Sequence, residues 1–308
     1  PEAVAENIRQ ISRFSNGPAF VLGDLDQGGK DYASELFRLL QANKVRNQLI
    51  FEIFNPVSRD FLQQMSLSAP DFCLEMSPAS HDPEVRNAEG RHYSNEELEQ
   101  TIGDALDAGC SRLDIFFMIG VPKQTPQSVM DTVDYCSYLW DKFNGDKRLY
   151  LFIAPLAPFL DPGSLAFEQP DKHGYRVLYH TVEEHRQALV QPSWKYSLNY
   201  ETEWMTRQQI VDTTYQAMTR LNTLKAKHGV ISEQMAQAEN YRLQAAQEMT
   251  QRIDDIVSRG NYEELPSLKA AIDEINMSPS THWEELKLPI RHTPVRFLRS
   301  FWSWLFRR

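Results

Sequence analysis

The sequence predicts an α/β protein in which a parallel sheet or barrel is followed by a mainly helical C-terminal region. Up to about Ser164, short apolar runs alternate with helical segments at a period of roughly 30 residues, the length of a βα unit. From Thr206 onward the composition is helical and rich in Gln, Ala, Met and Arg. Successive βα units place their strands parallel and bury them on both faces, so we expect one parallel sheet covered by helices.

The predicted strands are short, nearly continuous runs of Leu, Ile, Phe and Val. They are Ala19–Gly23, Gln48–Phe54, Asp71–Met76, Arg112–Ile119 and Arg148–Ala154. A helical pattern over Glu2–Phe14 comes before the first of them. Because the run therefore begins on a helix, we expect a further strand to precede residue 1.

Helices are predicted between the strands and through the C-terminal region. After Glu2–Phe14 they are Tyr32–Ala42, Ser58–Met65, Asn95–Ala108, Gln127–Phe143, Thr206–Lys227, Glu233–Arg259 and Leu265–Ile275. Ser94 and Glu97 have the spacing of a capping box, which marks a helix start. We divide the chain into a partial barrel (1–165), a helical or irregular extension (166–285) and a basic amphipathic tail (286–308).

Composition and charge exclude several classes of protein. The net charge of −10 argues against nucleic-acid binding, and no apolar run is long enough to span a membrane. Cys73, Cys110 and Cys136 lie 37 and 26 positions apart, so no pair has zinc or redox spacing. An odd number of such cysteines suits a reduced compartment, and we expect a cytoplasmic protein.

Polar residues gather where the predicted strands end. In chain order they are Gly23, Asp24, Asp26, Glu52, Asn55, Glu75, Ser77, Ser80, His81, Gly120 and Gln124, with Pro155 and Phe159 as apolar walls. The carboxyl ends of parallel strands meet at one edge, where such proteins bind ligands. A mouth rich in carboxylates suits a cationic ligand, ribose hydroxyls or a divalent metal. Asp24, Asp26 and Asn55 equally fit the simpler role of capping the following helix.

The segment from Glu75 to Thr132 resembles the radical S-adenosylmethionine (SAM) enzymes. Three motifs are most similar to those of members that carry an N-terminal cobalamin-binding domain. They are Ser80-His81-Asp82, Arg91-His92-Tyr93-Ser94 and Gly120-x-Pro122-x-x-Thr125. The resemblance covers about residues 1–160. It implies a partial parallel (β/α)6-type barrel lacking its first strand, with SAM, a [4Fe–4S] cluster and cobalamin as cofactors.

The resemblance also implies roles for residues at the strand ends. Gly23-Asp24 would receive the SAM amino group, with Glu52 as the acid that ends the next strand. Glu75 and Ser77 would bind ribose hydroxyls, and Arg86 or Arg91 would pair with the methionyl carboxylate. Backbone and apolar contacts around Gly120 and Pro122 would bracket adenine.

The spacing of the cysteines differs from that of the family. A [4Fe–4S] cluster needs thiolates at close spacing, and Cys73, Cys110 and Cys136 do not provide it, so neither the cluster nor cobalamin has ligands in this chain. We therefore expect the C-terminal portion of a radical SAM enzyme, inactive alone, that positions SAM and a small-molecule or lipid-like substrate. The alternative is a non-catalytic binding or scaffold protein with a degenerate barrel. A metal-dependent hydrolase is a third reading of the acidic mouth.

Two further motifs carry weaker signals. His180 and His185 are five positions apart, which does not place them on one helical face, so solvated charge explains them better than a metal site. Gly28-Gly29-Lys30 lacks the full phosphate-loop spacing and reads as an ordinary helix start.

The tail has a charge of its own. Six basic residues follow Leu286, so removing their +6 from the net charge of −10 leaves −16 on the rest of the chain. As a helix, the tail would place Leu298, Phe301, Trp302 and Leu305 on one face and arginines on the other. This pattern predicts peripheral membrane contact through residues 294–308. Docking on the acidic body or in a partner's groove remains open.

Overall fold

Five parallel strands form the central sheet of the protein, as predicted. The computed structural model describes residues 1–43, 45–69, 71–155, 160–276, 285 and 287–288. The strands are β1 (Ala19–Asp24), β2 (Leu49–Ile53), β3 (Phe72–Ala79), β4 (Arg112–Ile119) and β5 (Leu149–Pro155). Each strand pairs in parallel with the next along the chain, so β1 and β5 are the two edges. Within the described residues the sheet does not close into a barrel.

In the described part of the chain up to residue 155, six helices accompany this sheet. They are α1 (Glu2–Phe14), α2 (Lys30–Asn43), α3 (Arg59–Ser68), α4 (Pro83–Ala88), α5 (Asn95–Asp107) and α6 (Pro126–Lys142). The capping box of Ser94 and Glu97 is present at the start of α5. Thr125 and Ser128 form a second box at the start of α6. These side chains satisfy amide groups that have no partner within the helix, so they fix where each helix begins.

The two faces of the sheet have different residues. Alternate positions such as Leu74, Leu113 and Ile115 are buried in the main hydrophobic core with apolar side chains of the helices. The intervening positions point the opposite way, because successive side chains of a strand alternate between faces. On β2, β3 and β4 that opposite side carries carboxylates, and we call it the acidic face.

The C-terminal region is mainly helical and adds one small hairpin. Its elements are α7 (Leu165–Glu168), β6 (Tyr175–Val177), α8 (Val182–Leu189), β7 (Tyr200–Thr202), α9 (Arg207–Lys227), α10 (Glu233–Arg259) and α11 (Lys269–Asn276). β6 and β7 pair antiparallel. α9 contacts α6, β4 and β5, and α10 packs along α9. The α/β class with a helical C-terminal region is thus confirmed, whereas the proposed division at residues 165 and 285 stays a prediction.

The predicted amphipathic tail lies outside the described residues apart from Lys287 and Leu288. Its helical form and its membrane contact therefore stay predictions. Among the residues that the structure describes, no helix is long and apolar enough to cross a membrane.

Candidate functional site

Three carboxylates stand in a row across the acidic face. Glu52 on β2 is in register with Glu75 on β3, and Glu75 is in register with Asp114 on β4. Adjacent strands of a sheet are about 4.8 Å apart, so the three side chains are close neighbours. The strand-end rule predicted Glu52 and Glu75, but it missed Asp114, which lies inside an apolar run.

Asp24 lies in the same row by register, but its carboxylate is hydrogen-bonded to backbone amides. It is paired with Glu52, and its carboxylate accepts hydrogen bonds from the amides of Asp26 at 2.9 Å and Phe54 at 2.8 Å. The side chain therefore ties the end of β1 to the end of β2. This is a structural role, but it is not the helix cap that the sequence left open for Asp24, because the short turn Asp26–Gly28 has Leu25 at its N-cap and no side-chain cap.

Gly23 and Glu52 are joined directly. The Gly23 amide donates to Oε2 of Glu52 at 3.0 Å. Gly23 has φ +90°, in the left-handed region that favours glycine, and no atom lies within 4 Å of the position a Cβ would take. The conformation of its backbone, and not a lack of space, therefore explains the glycine.

Burial and like charge shift the titration of Glu75. Burial, reinforced by the nearby Asp114 and Glu52 carboxylates, raises the pKa of Glu75 to about 7. This carboxyl group changes its charge near neutral pH, unlike an exposed glutamate. Such a group can accept a hydrogen bond or exchange a proton under ordinary conditions.

Arg112 holds the third carboxylate. Its Nε donates to both oxygens of Asp114, at 2.7 and 2.9 Å, and its guanidinium lies over the Tyr150 ring at 4.1 Å from the centroid. Burial nevertheless raises the pKa of Asp114, and Arg112 opposes that rise. Arg112 thus neutralises the negative charge of Asp114 inside the protein. Glu75 is then the carboxylate of this pair that is available to a ligand.

A cavity of about 370 Å³ opens on the acidic face beside Glu75. Its walls include Ile50, Arg112, Asp114, Phe116, Phe152, Met218 and Leu288. The rings of Phe116 and Phe152 are stacked with centroids 5.0 Å apart. An apolar chamber with a few converging polar groups is the usual form of a small-molecule site.

Ser77 lies two residues beyond Glu75 on β3 and is half-buried. Because alternate residues of a strand share a face, it is placed on the acidic side, toward the carboxyl end of the sheet. Its position agrees with a site that extends from the cavity to the strand ends, and its predicted contact with ribose stays a prediction.

Arg86 is completely buried beneath the loop that follows β3. Its guanidinium donates to the carbonyls of Tyr93 and Ser80 and to Oδ1 of Asn95, at 2.9, 3.1 and 2.6 Å, and it lies over the Tyr93 ring. Nη2 has no hydrogen-bond partner among the described residues. These contacts hold the loop in shape, and the predicted role of Arg86 toward a ligand carboxylate stays a prediction.

Arg91 is nearer to the strand ends. Its guanidinium lies 5.9 Å from the ring centroid of Phe54, just past β2, and 3.9 Å from the carboxylate of Glu89. Its Nε is buried, and the described residues offer it no hydrogen-bond partner. Of the two arginines, Arg91 is the one placed beside the end of β2, and its predicted role stays a prediction.

The turn after β4 is fixed from both sides. The Gly120 amide donates to Oε1 of Gln124 at 2.8 Å, and Nε2 of Gln124 donates to the carbonyl of Met118 at 2.9 Å. A Cβ at Gly120 would lie 2.9 Å from the Tyr200 hydroxyl of the hairpin. Pro122 is buried. The C-terminal region thus covers this turn, and the predicted contact of Gly120 and Pro122 with adenine stays a prediction.

The three cysteines do not fit a cluster. All are buried, and burial raises the pKa of the Cys73 thiol to about 12 and the pKa values of Cys110 and Cys136 still further. Thiolates are the ligands of iron–sulfur clusters, and burial opposes their formation. Across the described part of the chain, no group of three or more His, Cys, Asp or Glu side chains could hold a metal ion.

The histidines His180 and His185 and the turn Gly28-Gly29-Lys30 were the weaker motifs of the sequence. His185 is bonded to the Thr181 carbonyl and to the Asn199 side chain, at 2.9 and 3.0 Å. Lys30 begins α2 directly after Gly29. The histidines and the glycine-rich turn are thus explained by local structure.

No family model matches this sequence, and no curated protein matches it either. Among solved structures, the chain is similar to a radical SAM methyltransferase, TsrM from Kitasatospora setae, solved with cobalamin and a [4Fe-4S] cluster bound. That match has 15% identity and a TM-score of 0.40, and it covers 45% of this chain and 28% of that one. The chain thus spans little more than a quarter of the TsrM chain.

Two other solved structures match over a longer part of the chain. Coproporphyrinogen III oxidase (HemN) from Escherichia coli, described as a radical SAM enzyme, has 14% identity and a TM-score of 0.37 over 81% of this chain and 76% of its own. HydG, a maturase of the [FeFe]-hydrogenase, has 11% identity and a TM-score of 0.36 over 89% and 75%. These values are low, so any function for this chain must rest on the residues of the acidic face.

Proposed function

We propose that this chain binds SAM on the acidic face and positions it against a substrate, as the cofactor-positioning part of a radical SAM enzyme. The observation that carries the proposal is the pair Glu52 and Glu75, side by side in register next to an apolar cavity. Carboxylates accept hydrogen bonds only, and neighbouring carboxylates suit the two hydroxyls of a ribose. The sequence resemblance of the segment from Glu75 to Thr132 supports the same reading.

The rest of the site suits the other parts of SAM. Glu52, Glu75 and Asp114 supply negative charge to a sulfonium or ammonium group, and Phe116 and Phe152 supply an apolar surface for a ring. When bound, SAM would supply an adenosyl or methyl group to the reaction. The chain's own residues would bind, orient and shield it. A small-molecule or lipid-like substrate would meet the same apolar walls.

The described cysteines do not provide ligands for a [4Fe–4S] cluster. Because Cys73, Cys110 and Cys136 do not fit one, we assign no electron-transfer step to these residues. Under our proposal, the cluster-binding cysteines belong to a segment that precedes residue 1, and this chain alone is inactive in SAM cleavage. Cobalamin rests on the resemblance alone, and no described residue is assigned to it.

Calorimetric titration of the chain with SAM tests the proposal. We expect binding that weakens about tenfold in Glu52→Ala and in Glu75→Ala, because each loses a hydrogen bond to a charged acceptor. Glu263→Ala, at an exposed position in the turn before α11, is the matched control and should bind as the unmodified chain does. Absence of SAM binding, or equal affinity in all four proteins, would refute the proposal.

The buried cysteines favour one alternative, a non-catalytic binding or scaffold protein. Anaerobic reconstitution with iron and sulfide separates the two readings when the upstream reading frame is included. Formation of a cluster in that longer chain supports the enzyme. A longer chain that binds SAM but takes up no cluster supports the scaffold.

A further inference from the structure

The cavity on the acidic face reaches behind the residues that we assign to SAM. Ile50 and Arg112 line it, and each lies two positions before the row of carboxylates, on β2 and β4. Two strand positions are roughly 7 Å, so this inner part of the cavity lies toward the amino end of the sheet. The predicted SAM contacts lie at the row or beyond it, as Ser77 does. A SAM molecule at the strand ends therefore leaves the inner part of the cavity to another molecule.

The walls of the cavity are mostly apolar. Ile50, Phe152, Met218 and Leu288 are among its lining residues, and Met218 belongs to α9 of the C-terminal region. A protein cavity of roughly 150 Å³ holds a benzene molecule, so about 370 Å³ has room for a ring with a short chain. The walls therefore suit an organic molecule with an apolar body.

The charges that line the cavity do not balance. Glu75 and Asp114 both line it, and the cation beside them, Arg112, is bonded to Asp114. Glu52 adds a further carboxylate next to Glu75 on the neighbouring strand. Among the described residues no ion pair of Glu75 is seen. An ionised Glu75 therefore leaves an excess of negative charge at the cavity.

Lys225 on α9 does not remove this excess. Its Nζ lies 5.2 Å from the ring centroid of Phe152, but it is bonded to the buried carboxylate of Glu285. The two charges of that pair cancel, so the negative charge at Glu75 stays uncompensated. A partly buried carboxylate is stabilised by a cation close to it and destabilised by a second anion. The cavity should therefore prefer a cationic ligand.

We propose that the inner part of the cavity is the substrate subsite and takes a primary amine with an apolar body. The ammonium group donates to the Glu75 carboxylate, and the apolar body packs against Phe152 and Met218. A carboxylate has two oxygens with about four lone-pair positions, so Glu75 can accept from an ammonium group and a ribose hydroxyl together. That the amine is a substrate rests on the proposed function, whereas its binding in the cavity does not.

Ligand-observed NMR titration of the full chain with phenethylamine, in the absence of SAM, tests the binding. At about pH 8, where Glu75 is ionised, the amine should bind about tenfold more tightly than phenethyl alcohol. The alcohol has the same apolar body but lacks the charge-assisted hydrogen bond. Phenylacetate, an anion of similar size, should bind more weakly than either. Equal affinity of the amine and the alcohol, or tighter binding of the anion, would overturn the proposal.

Two variants separate the charge from the apolar wall. Glu75→Gln keeps the shape of the side chain and should remove the preference for the amine, whereas the exposed control Glu263→Gln should retain it. Met218→Ala should weaken the amine and the alcohol by the same factor, because it removes apolar contact alone. Circular dichroism checks that each variant is folded. A preference that survives in Glu75→Gln would refute the contact between the ammonium group and Glu75.

Titrations with SAM distinguish failure of the subsite from failure of SAM binding. We expect phenethylamine to bind the SAM-loaded chain as well as it binds the free chain. Mutual exclusion would show that the amine occupies the SAM site, and it would overturn the separate subsite. A chain that binds SAM but does not prefer the amine keeps the proposed function and refutes the subsite. A chain that prefers the amine but binds no SAM keeps the amine site and refutes the proposed function.

Discussion

Glu75 and Asp114 occupy paired positions on β3 and β4, so two carboxylates stand on one face of the sheet a single strand spacing apart. Arg112 binds Asp114 directly, whereas no such ion pair of Glu75 is seen among the residues that the structure describes. The difference gives the two acids separate roles: Asp114 is held by the protein, and Glu75 is left to titrate near neutral pH.

Glu75→Gln should stabilise the protein at alkaline pH. The pKa of Glu75 is raised in the folded state from 4.5 to about 7, so folding favours its protonated form. The resulting loss of stability is small below about pH 4.5, grows as the pH rises and is complete above about 7. Glutamine removes that loss, and we expect a gain of about 1 kcal/mol at alkaline pH after allowing for solvent screening. Urea denaturation at about pH 8 and about pH 5 measures it.

The gain should shrink toward the acidic condition. Glu263→Gln, in an exposed turn, is the control and should change the free energy of unfolding little at either pH. A gain for Glu75→Gln that is equal at both pH values would show that Glu75 is not the titrating group.

Arg112→Met should destabilise the protein strongly. It leaves the buried Asp114 carboxylate without its cation, which typically costs about 3–5 kcal/mol. The double variant Arg112→Met with Asp114→Leu removes both charges and should recover most of that loss. Denaturant titration of the three proteins gives the comparison. A double variant as unstable as the single one would mean that the ion pair is not the cause.

Gly120→Ala should cost more than Gly90→Ala. Both glycines have positive φ, +84° and +72°, so both substitutions carry the same backbone strain of about 1 kcal/mol. At Gly120 the added methyl group would also meet the Tyr200 hydroxyl at 2.9 Å and Ile210 at 3.2 Å, whereas nothing lies near Gly90. We expect a total of about 2–4 kcal/mol at Gly120. Equal losses of melting temperature would contradict the close approach of the hairpin to this turn.

Asp24→Ala and Glu52→Ala should separate a structural acid from a ligand-binding one. Asp24→Ala leaves the Phe54 and Asp26 amides without their acceptor and should cost about 2 kcal/mol of stability. Glu52 bonds one amide at an exposed position, so its loss should cost less stability but weaken SAM binding. Denaturation and calorimetry on the same two variants supply both readouts, and the opposite ranking would exchange the two roles.

The features that could be predicted are those that depend on residues close together in the sequence. The five strands were placed within about three residues of their ends, because buried parallel strands are continuous apolar runs bounded by polar turns. Ser94 and Glu97 located the start of α5 because their contacts span only three residues. Glu52 and Glu75 were found because they lie near the ends of such runs.

The features that were missed depend on contacts across the chain. Asp114 looked like a polar interruption of a strand until its register with Glu75 was known. Its one local signal is the spacing Arg112-x-Asp114, which places both side chains on one face of a strand. The strands β6 and β7 come from segments separated by more than twenty residues without a regular pattern, and their antiparallel pairing is seen only in the folded chain.

The buried pair of Lys225 and Glu285 bears on the order in which the chain folds. A single charge is costly in that position, so neither residue can be buried stably before the other arrives. The two are 60 positions apart, and closing so long a loop is slow compared with forming α9 itself. The burial of Glu285 beside Lys225 should therefore be a late step of folding. The acidic face would stay open to solvent until that step is complete.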